Sequence, residues 1–306
     1  MDAEERKKRF TYSERSNIDW HVHTTASDGQ LTPTQIIRKA KRMGLEEIAI
    51  TDHDSIDGVK EATAEGRKLG VKVVPGIELT CYENLRIGKK NVRVEIHMVG
   101  LDIDIKDKGL ERLIQLAGKA RVIRAKKIIQ KLKKLGYSIS WKRTRQLGRD
   151  VTGRPHIAYA LLESKKNRDK MRNDYKLDHE PVRNDVFECL IGYGRLAYVE
   201  KMKFSVKQAI SIIKATRGLA GLAHPGIESH RGFDIPFSKI REYKKCGLDA
   251  IEVYCSAHRE KQIRKYSRIA KQLGLIATGG TDYHAFPFEK IELGVGRGNL
   301  KDYWKK

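Results

Sequence analysis

The alternation of short apolar runs with helix-like stretches restricts the fold of this 306-residue chain more than any other feature of its sequence. Helical patterns such as Thr32–Met43 and Ser55–Leu69 are followed by Gly44 and Gly70, residues of the kind that end helices. Between such patterns we predict seven strands, at Ile18–His21, Glu47–Thr51, Val71–Pro75, Val92–Val99, Leu219–Ala223, Ala250–Tyr254 and Leu275–Thr278. This alternation favours an α/β fold with a parallel sheet, most economically a barrel.

The alternation breaks between about Ile105 and Val206. There the segment Leu110–Leu135 is helical and basic, and Lys165–Asp185 contains few apolar residues, so we interpret the latter as a loop. We therefore predict that residues 1–104 and 206–306 form the barrel. Residues 105–205 would be a basic, mainly helical insertion that covers one end of it as a lid.

The chain carries a formal net charge of +23, and most of the excess lies in the predicted insertion. Between Lys106 and Lys203 there are 26 Lys and Arg against 11 Asp and Glu, a net of +15. Such a charge favours polyanionic partners such as nucleotides or nucleic acid. Lysine-rich surfaces also occur for solubility or heat adaptation, and composition leaves both explanations open.

Two further features restrict the class of protein. No apolar run approaches the roughly 20 residues that cross a bilayer, and the opening MDAEERKKRFTYSERSN is too charged for a secretory signal, so we expect a cytoplasmic protein with no membrane partner. Its cysteines (Cys81, Cys189, Cys246 and Cys255) form no CxxC pair. We expect reduced thiols and neither a disulfide framework nor a cysteine zinc site.

Histidines and carboxylates fall at the predicted ends of six strands, in DWHVH, TDHD, GIE, EIH, AHPG and GTDYH. In a βα barrel the carboxyl ends of the strands face one pocket, so these side chains should converge. Each motif alone is compatible with a surface histidine or a helix cap. Together they predict a metal cluster, because mixed imidazole and carboxylate ligands suit zinc, manganese and iron. A carboxylate can also bridge two ions roughly 3.5–4 Å apart.

The segments DWHVHT, SDGQLTP, ITDHDSIDG, GIELT, EIHMVGL, GRPHIA, LAHPG, IEVY and GTDYHA follow one another from Asp19 to about Gly296. In this order they resemble the polymerase-and-histidinol-phosphatase (PHP) family of phosphoesterases. Within it the chain looks most like nucleoside 3′,5′-bisphosphate phosphatases and 5′-to-3′ exoribonucleases, which also carry GRPHIA-like and AHPG segments around a helical insertion. The resemblance implies a distorted seven-stranded barrel of PHP type and two or three divalent ions, Mn²⁺, Zn²⁺ or Fe²⁺.

The same resemblance implies which residues hold the ions. The first ion would take His21, His23, Glu78 and Asp282. The second would share Glu78 and add His97 and His224, and the third would use Asp28, His53 and His284. Asp28 stands where some relatives have histidine, and oxygen in place of nitrogen should weaken or alter the third site. Asp19 and Asp52 would orient imidazoles from behind.

Substrate contacts are also expected from the resemblance. Arg154 has the bidentate fork that suits a phosphate, and His156, His258 and Arg195 are further candidates for phosphate binding. The implied function is hydrolysis of phosphate esters of 3′,5′-bisphosphonucleosides or 5′-phosphorylated oligoribonucleotides by attack of a metal-bound hydroxide. Two alternatives remain open: a histidinol-phosphate phosphatase, and a nucleic-acid-binding protein with a non-catalytic metal cluster.

Overall fold

The structure is a computed structural model, and it describes residues 3–12, 17–87, 90–148, 152–200, 204–226, 235–286, 290–297 and 300. The chain divides into two compact units. One, which we call the barrel unit, comprises Met1–Ile114 and Lys203–Lys306; the other, the helical unit, comprises Gln115–Met202. None of the described helices is long and apolar enough to cross a membrane, and the four cysteines, which all lie within the described ranges, form no disulfide.

Seven strands of the barrel unit form one sheet in chain order: β1 (Ile18–Val22), β2 (Glu47–Ile50), β3 (Lys72–Ile87), β4 (Lys90–Leu101), β5 (Leu219–Leu222), β6 (Ala250–Cys255) and β7 (Ile276–Gly280). All seven predicted strands are therefore confirmed, as is the α/β class. The predicted all-parallel sheet is wrong at β4, which runs antiparallel to both β3 and β5. The reason is the connection: β4 begins directly after β3 ends, whereas parallel neighbours need a crossover of about a dozen residues or more.

The sheet curves until β7 meets β1, so the barrel is nearly closed. The backbone N–H of Asp282 donates to the carbonyl of His21 (2.9 Å), and that of His23 donates to the carbonyl of Tyr283 (2.9 Å). Gly280 permits this approach, because a Cβ at its position would lie 2.4 Å from the Cβ of His21. Closure thus places the residues that follow β7 beside the HVH motif of β1.

Helices cover the barrel strands: α1 (Ala3–Phe10), α2 (Pro33–Arg42), α3 (Asp57–Leu69), α9 (Val206–Ala215), α10 (Phe237–Lys245) and α11 (Glu260–Leu273). Helix α2 begins at a capping box in which the Thr32 side chain accepts from the N–H of Gln35. Its apolar face, with Ile36 and Ile37, packs in one cluster with Val22 of β1 and residues of α3 and β2. Burial of these side chains holds the helices on the sheet.

The helical unit contains most of α4 (Lys108–Lys134), then α5 (Trp141–Gly148), α6 (Arg154–Leu162), α7 (Lys165–Tyr175) and α8 (Arg183–Val186), followed by a π-helical turn at Phe187–Ile191. The loop predicted for Lys165–Asp185 is wrong, because α7 occupies its first half. Two local devices explain this helix despite its few apolar residues. Ser164 caps its start by accepting from the N–H of Asn167, and Lys165 pairs with Asp169 at 2.7 Å one turn later.

Candidate metal centre

The carboxylate of Glu78 lies at the middle of the candidate site and is completely buried. Five imidazole nitrogens approach it from four different parts of the barrel. Oε1 faces His21 Nε2 (3.4 Å), His97 Nδ1 (3.1 Å) and His224 Nε2 (3.0 Å), and Oε2 faces His23 Nε2 (3.2 Å) and His53 Nδ1 (2.8 Å). The two carboxylate oxygens of Glu78 therefore lie close to two different sets of imidazole rings.

Three groups of side chains bring their ligand atoms within 4.8 Å of one another. They are His21, His23, Glu78 and Asp282; His53, Glu78 and His97; and His23, Asp28, His53 and His284. The first group has the members that we expected for the first ion. The other two groups differ from our expectation. His53 belongs to the second group as well as to the third, and His23 belongs to the third group as well as to the first. His224 adjoins the second group, with Nε2 3.3 Å from Nδ1 of His97. The fold thus brings all nine expected ligands together.

Glu78 and His97 are not at strand ends, where we expected them. Strand β3 continues past Glu78 as far as Ile87, and β4 pairs with it along this whole length, so that His97 lies opposite Thr80. The site therefore opens beside a long two-stranded ribbon rather than at a rim made only of strand ends. The antiparallel direction of β4 causes this difference.

Two of the candidate ligands have backbone conformations that are rare for residues other than glycine. His224 has φ 25° and Asp282 has φ 57°. Both are held there by hydrogen bonds: the N–H of Asp282 donates to the carbonyl of His21, and the N–H of His224 donates to Oε2 of Glu252 at 2.7 Å. Strained backbone of this kind is concentrated at functional sites.

Glu252 is a residue of the site that the motif analysis missed. It lies buried on β6, and its Oε1 is 2.7 Å from Nδ1 of His21. A carboxylate at Nδ1 holds the ring proton there, which leaves Nε2 free to face Glu78 and a cation. The signal was present in the sequence, because Glu252 is the single charged residue in the apolar strand AIEVYC.

Asp19 and Asp52 are buried behind the site, but within the part of the chain that the structure describes neither carboxylate forms a hydrogen bond or ion pair with an imidazole ring. Asp19 accepts from the backbone N–H of Thr281 (2.9 Å) and of Gly294 (2.8 Å), so it holds the segment after β7. Burial raises its pKa to about 6 against the effect of these hydrogen bonds. Asp52 accepts from the hydroxyl of Ser27 (2.5 Å), which in turn lies 3.4 Å from Nδ1 of His23. Asp52 therefore reaches a ring through Ser27, whereas Asp19 orients backbone.

Carboxylates of the cluster stabilise positive charge on the imidazoles beside them. Burial lowers the pKa of His97 and of His284, but nearby carboxylates outweigh burial and raise both pKa values to about 10. Although burial raises the pKa of Glu78, the surrounding imidazoles hold it well below its usual range. Oε2 of Glu78 and Oδ1 of Asp28 are buried and receive no well-aligned hydrogen bond from the described residues. Divalent cations fit such oxygens, and the imidazoles complete a ligand set suited to transition metals.

The four expected substrate contacts lie in different surroundings. In the helical unit, Arg154 is the first residue of α6 and its guanidinium lies 5.3 Å over the ring of Phe187. Nδ1 of His156 accepts from the N–H of Gly153 (3.0 Å) and so caps α6, while Arg195 is exposed in the turn after the π-helix.

His258 belongs to the barrel unit, and the backbone engages both nitrogens of its buried ring. Nδ1 lies 2.8 Å from the carbonyl of Val253, and Nε2 accepts from the N–H of Gly226 at 2.9 Å. These contacts hold the segment after His224 and involve both ring nitrogens, so the phosphate contact that we expected of His258 would require one of them to be replaced.

Comparison with known proteins agrees with this site. A family model described as "PHP domain" matches residues 19–171. The chain is 30% identical to a protein named 5′-3′ exoribonuclease from Haemophilus influenzae, over 90% of this chain and 92% of that one. It is 29% identical to a phosphoribosyl 1,2-cyclic phosphate 1,2-diphosphodiesterase from Eggerthella lenta (87% and 93%), and 28% identical to a 3′,5′-nucleoside bisphosphate phosphatase from Chromobacterium violaceum (88% and 88%).

The chain is also similar to a solved structure. That structure is described as a metal-dependent phosphoesterase from Bifidobacterium adolescentis, and it matches with a TM-score of 0.75 and 26% identity over 94% of this chain and 93% of that chain. The agreement of family model, relatives and fold with a cluster of metal-competent side chains leads to one conclusion: the chain belongs to the PHP family and is a metal-dependent phosphoesterase.

Proposed function

We propose that this phosphoesterase hydrolyses phosphate esters of nucleotides, with 3′,5′-bisphosphonucleosides and 5′-phosphorylated oligoribonucleotides as substrates. The observation that carries the proposal is the position of Glu78, whose two oxygens face different sets of imidazoles. A carboxylate so placed can be shared by two ions. We assign the nine side chains of the cluster to two or three divalent ions, Mn²⁺, Zn²⁺ or Fe²⁺.

Divalent ions bound here would supply the positive charge that neutralises a phosphate and activates water. The protein's own contribution is to hold the ligand rings in fixed orientations. Glu252 keeps a proton on Nδ1 of His21, and the pair Asp52–Ser27 supports His23 from behind. Because His21 lies on β1 and His23 follows directly after it, the orientation of both rings is preserved while the substrate binds and leaves.

We assign Arg154, with His156 and Arg195, to a phosphate that is not cleaved. Arg154 stands in the first turn of α6, where backbone N–H groups without helical partners favour an anion. Its guanidinium can bind a phosphate through two parallel hydrogen bonds. Two of the relatives reported above carry names that refer to RNA or to nucleoside bisphosphates, and both kinds of substrate have a second phosphate near the reacting one.

A hydrolysis screen of the manganese-loaded protein tests this proposal by measuring released inorganic phosphate and, for the oligoribonucleotides, released mononucleotides. The substrates are 3′,5′-bisphosphonucleosides, 5′-phosphorylated oligoribonucleotides, phosphoribosyl 1,2-cyclic phosphate and histidinol phosphate. We expect the highest kcat/KM for one of the first two, since a basic surface disfavours the cationic histidinol phosphate. A preference for either of the last two would overturn the nucleotide assignment. Metal-loaded protein without any turnover would favour the nucleic-acid-binding alternative.

A further inference from the structure

One face of α4 in the helical unit lines a cleft of about 690 Å³. The cleft is lined by Lys127, Lys131, Lys133 and Lys134 from the helix, and by Tyr198 and Glu200 from the segment that follows the π-helix. We call it the α4 cleft. Its volume lies in the range of about 300–1,000 Å³ that is usual for ligand sites. Four lysines against one glutamate give it an excess of positive charge.

The charge of the α4 cleft exceeds that of the one carboxylate, Glu200, which lines it. Among the residues that the structure describes, no acidic side chain forms an ion pair with Lys127, Lys133 or Lys134. On α7 of the same unit, by contrast, Lys165 pairs with Asp169 (2.7 Å) and Lys170 with Asp174 (2.9 Å). These three lysines are therefore available to an external anion, whereas the ammonium of Lys131 donates to the carbonyl of Tyr198 at 2.6 Å.

A turn closed by a backbone hydrogen bond presents an aromatic ring that contacts Tyr198 of the α4 cleft. Tyr193 is 69% exposed, and its ring meets the ring of Tyr198 edge-on at 5.4 Å. The N–H of Gly192 donates to the carbonyl of Phe187 (2.8 Å), and a Cβ on Gly192 would come within 2.4 Å of that oxygen. The turn therefore requires glycine at position 192, and the next side chain, Tyr193, is exposed to solvent. Fixed, exposed aromatic rings are the platforms on which unpaired bases stack.

We propose that the α4 cleft together with Tyr193 binds single-stranded RNA, with the lysines on backbone phosphates and the tyrosine against a base. This rests on the proposed function and narrows its substrate to oligoribonucleotides that extend beyond the reacting end. Lysines alone would also suit an acidic peptide or an anionic membrane. The adjacent ring favours RNA, because duplex bases are already stacked on one another whereas single-stranded bases are open to an aromatic side chain.

The first test is fluorescence anisotropy of the full-length protein with an end-labelled, unstructured oligoribonucleotide of about twelve nucleotides. Chelator is present so that no hydrolysis occurs. The variant Lys127→Gln, Lys133→Gln, Lys134→Gln should bind about tenfold to a hundredfold more weakly near physiological salt. The slope of log affinity against log salt should become shallower by about 2, since each lost phosphate contact contributes about 0.7.

The matched control removes the same charge elsewhere on the helical unit, through Lys142→Gln, Lys166→Gln and Lys176→Gln. These lysines are exposed and lie outside the α4 cleft, and none has an ion pair among the described residues. The control should keep affinity within about twofold of wild type. An equal loss in both triple variants would mean that only net charge matters and would overturn the proposal. The thermal unfolding midpoint of each variant checks that it is folded.

The stacking contact is tested separately at position 193. Tyr193→Ala should weaken RNA binding about fivefold or more with little change in the salt slope. Tyr193→Phe should restore it because the ring remains, and Leu196→Ala, which removes a neighbouring side chain of similar exposure (68%), should have no effect. If Tyr193→Ala binds like wild type and duplex RNA competes equally well, the surface is a general anion site and the proposal is wrong.

Two further measurements separate this proposal from the one on which it rests. In the first measurement, vesicles of phosphatidylserine and phosphatidylcholine replace RNA. If vesicle binding depends on the cleft lysines and RNA binding does not, the cleft is a membrane-binding surface and the proposal is wrong. The second is phosphate release from a 3′,5′-bisphosphonucleoside by the wild type. Normal release with cleft-independent RNA binding overturns the RNA surface alone, whereas cleft-dependent RNA binding by a metal-loaded protein that hydrolyses neither this substrate nor the oligoribonucleotide overturns the proposed catalytic function alone.

Discussion

Glu252 Oε1 lies 2.7 Å from Nδ1 of His21, deep in the barrel and 231 positions away in sequence. The other oxygen of Glu252 accepts from the backbone N–H of His224 (2.7 Å). One carboxylate therefore orients the ring of one candidate ligand and the strained backbone of another. Its position explains how two ligands from opposite parts of the chain keep a common geometry.

Glu252→Gln should lower the affinity for divalent metal by about tenfold to a hundredfold, because the amide is a weaker partner for the ring N–H and makes Nε2 less basic. The measurement is competition with a chelator of known affinity, together with kcat/KM as a function of Mn²⁺ concentration. High metal should restore much of the activity. Glu260→Gln, on the exposed start of α11, is the control. Unchanged metal affinity in Glu252→Gln would contradict the orienting role.

Glu78→Gln should impair hydrolysis far more than Asp28→Asn. The first substitution removes a charge that we assign to two ions, so kcat/KM should fall by more than about a hundredfold, whereas the second affects only the third group, at about tenfold or less. Both variants are compared by steady-state kinetics and by elemental analysis of bound metal. Small and equal effects would show that the ligand assignment is mistaken.

Metal binding should release protons and become tighter as the pH rises. In the metal-free protein the carboxylates raise the pKa values of His97 and His284 to about 10, so both rings are protonated at neutral pH. A cation must displace these protons to reach the nitrogens, and the apparent affinity therefore increases with pH up to about that value. Calorimetric titration in two buffers of different ionisation enthalpy counts the protons. Heats that do not depend on the buffer would contradict this prediction.

Arg154→Ala should reduce kcat/KM for 3′,5′-bisphosphonucleosides by about tenfold to a hundredfold, because hydrogen bonds to charged groups contribute about 1.5–3 kcal/mol. Simple nucleoside monophosphates, which lack the second phosphate, should be affected much less. Arg145→Ala, an exposed arginine of the same unit, serves as the control. A uniform drop for both substrate types would mean that Arg154 serves the reacting phosphate or the fold.

Local patterns in the sequence determined the seven strands, the α/β class and the prediction of a metal cluster, and the resemblance to the PHP family added the nine candidate ligands. Apolar periodicity reports which face of a short segment is buried, and motifs such as HVH and TDHD carry their chemistry within a few residues. The same reasoning misread α7, because a helix stabilised by Ser164 and by ion pairs such as Lys165–Asp169 needs little apolar surface.

Only the tertiary structure decided the direction of β4, the pairing of Glu252 with His21 and the backbone contacts that occupy His258. Each of these depends on which distant segments meet when the sheet closes, and pairing across long loops leaves no mark on local composition. Glu252 looks in sequence like one acidic residue in an apolar strand. Closure of the barrel places its carboxylate behind a ligand ring, and burial away from water then makes that single contact strong.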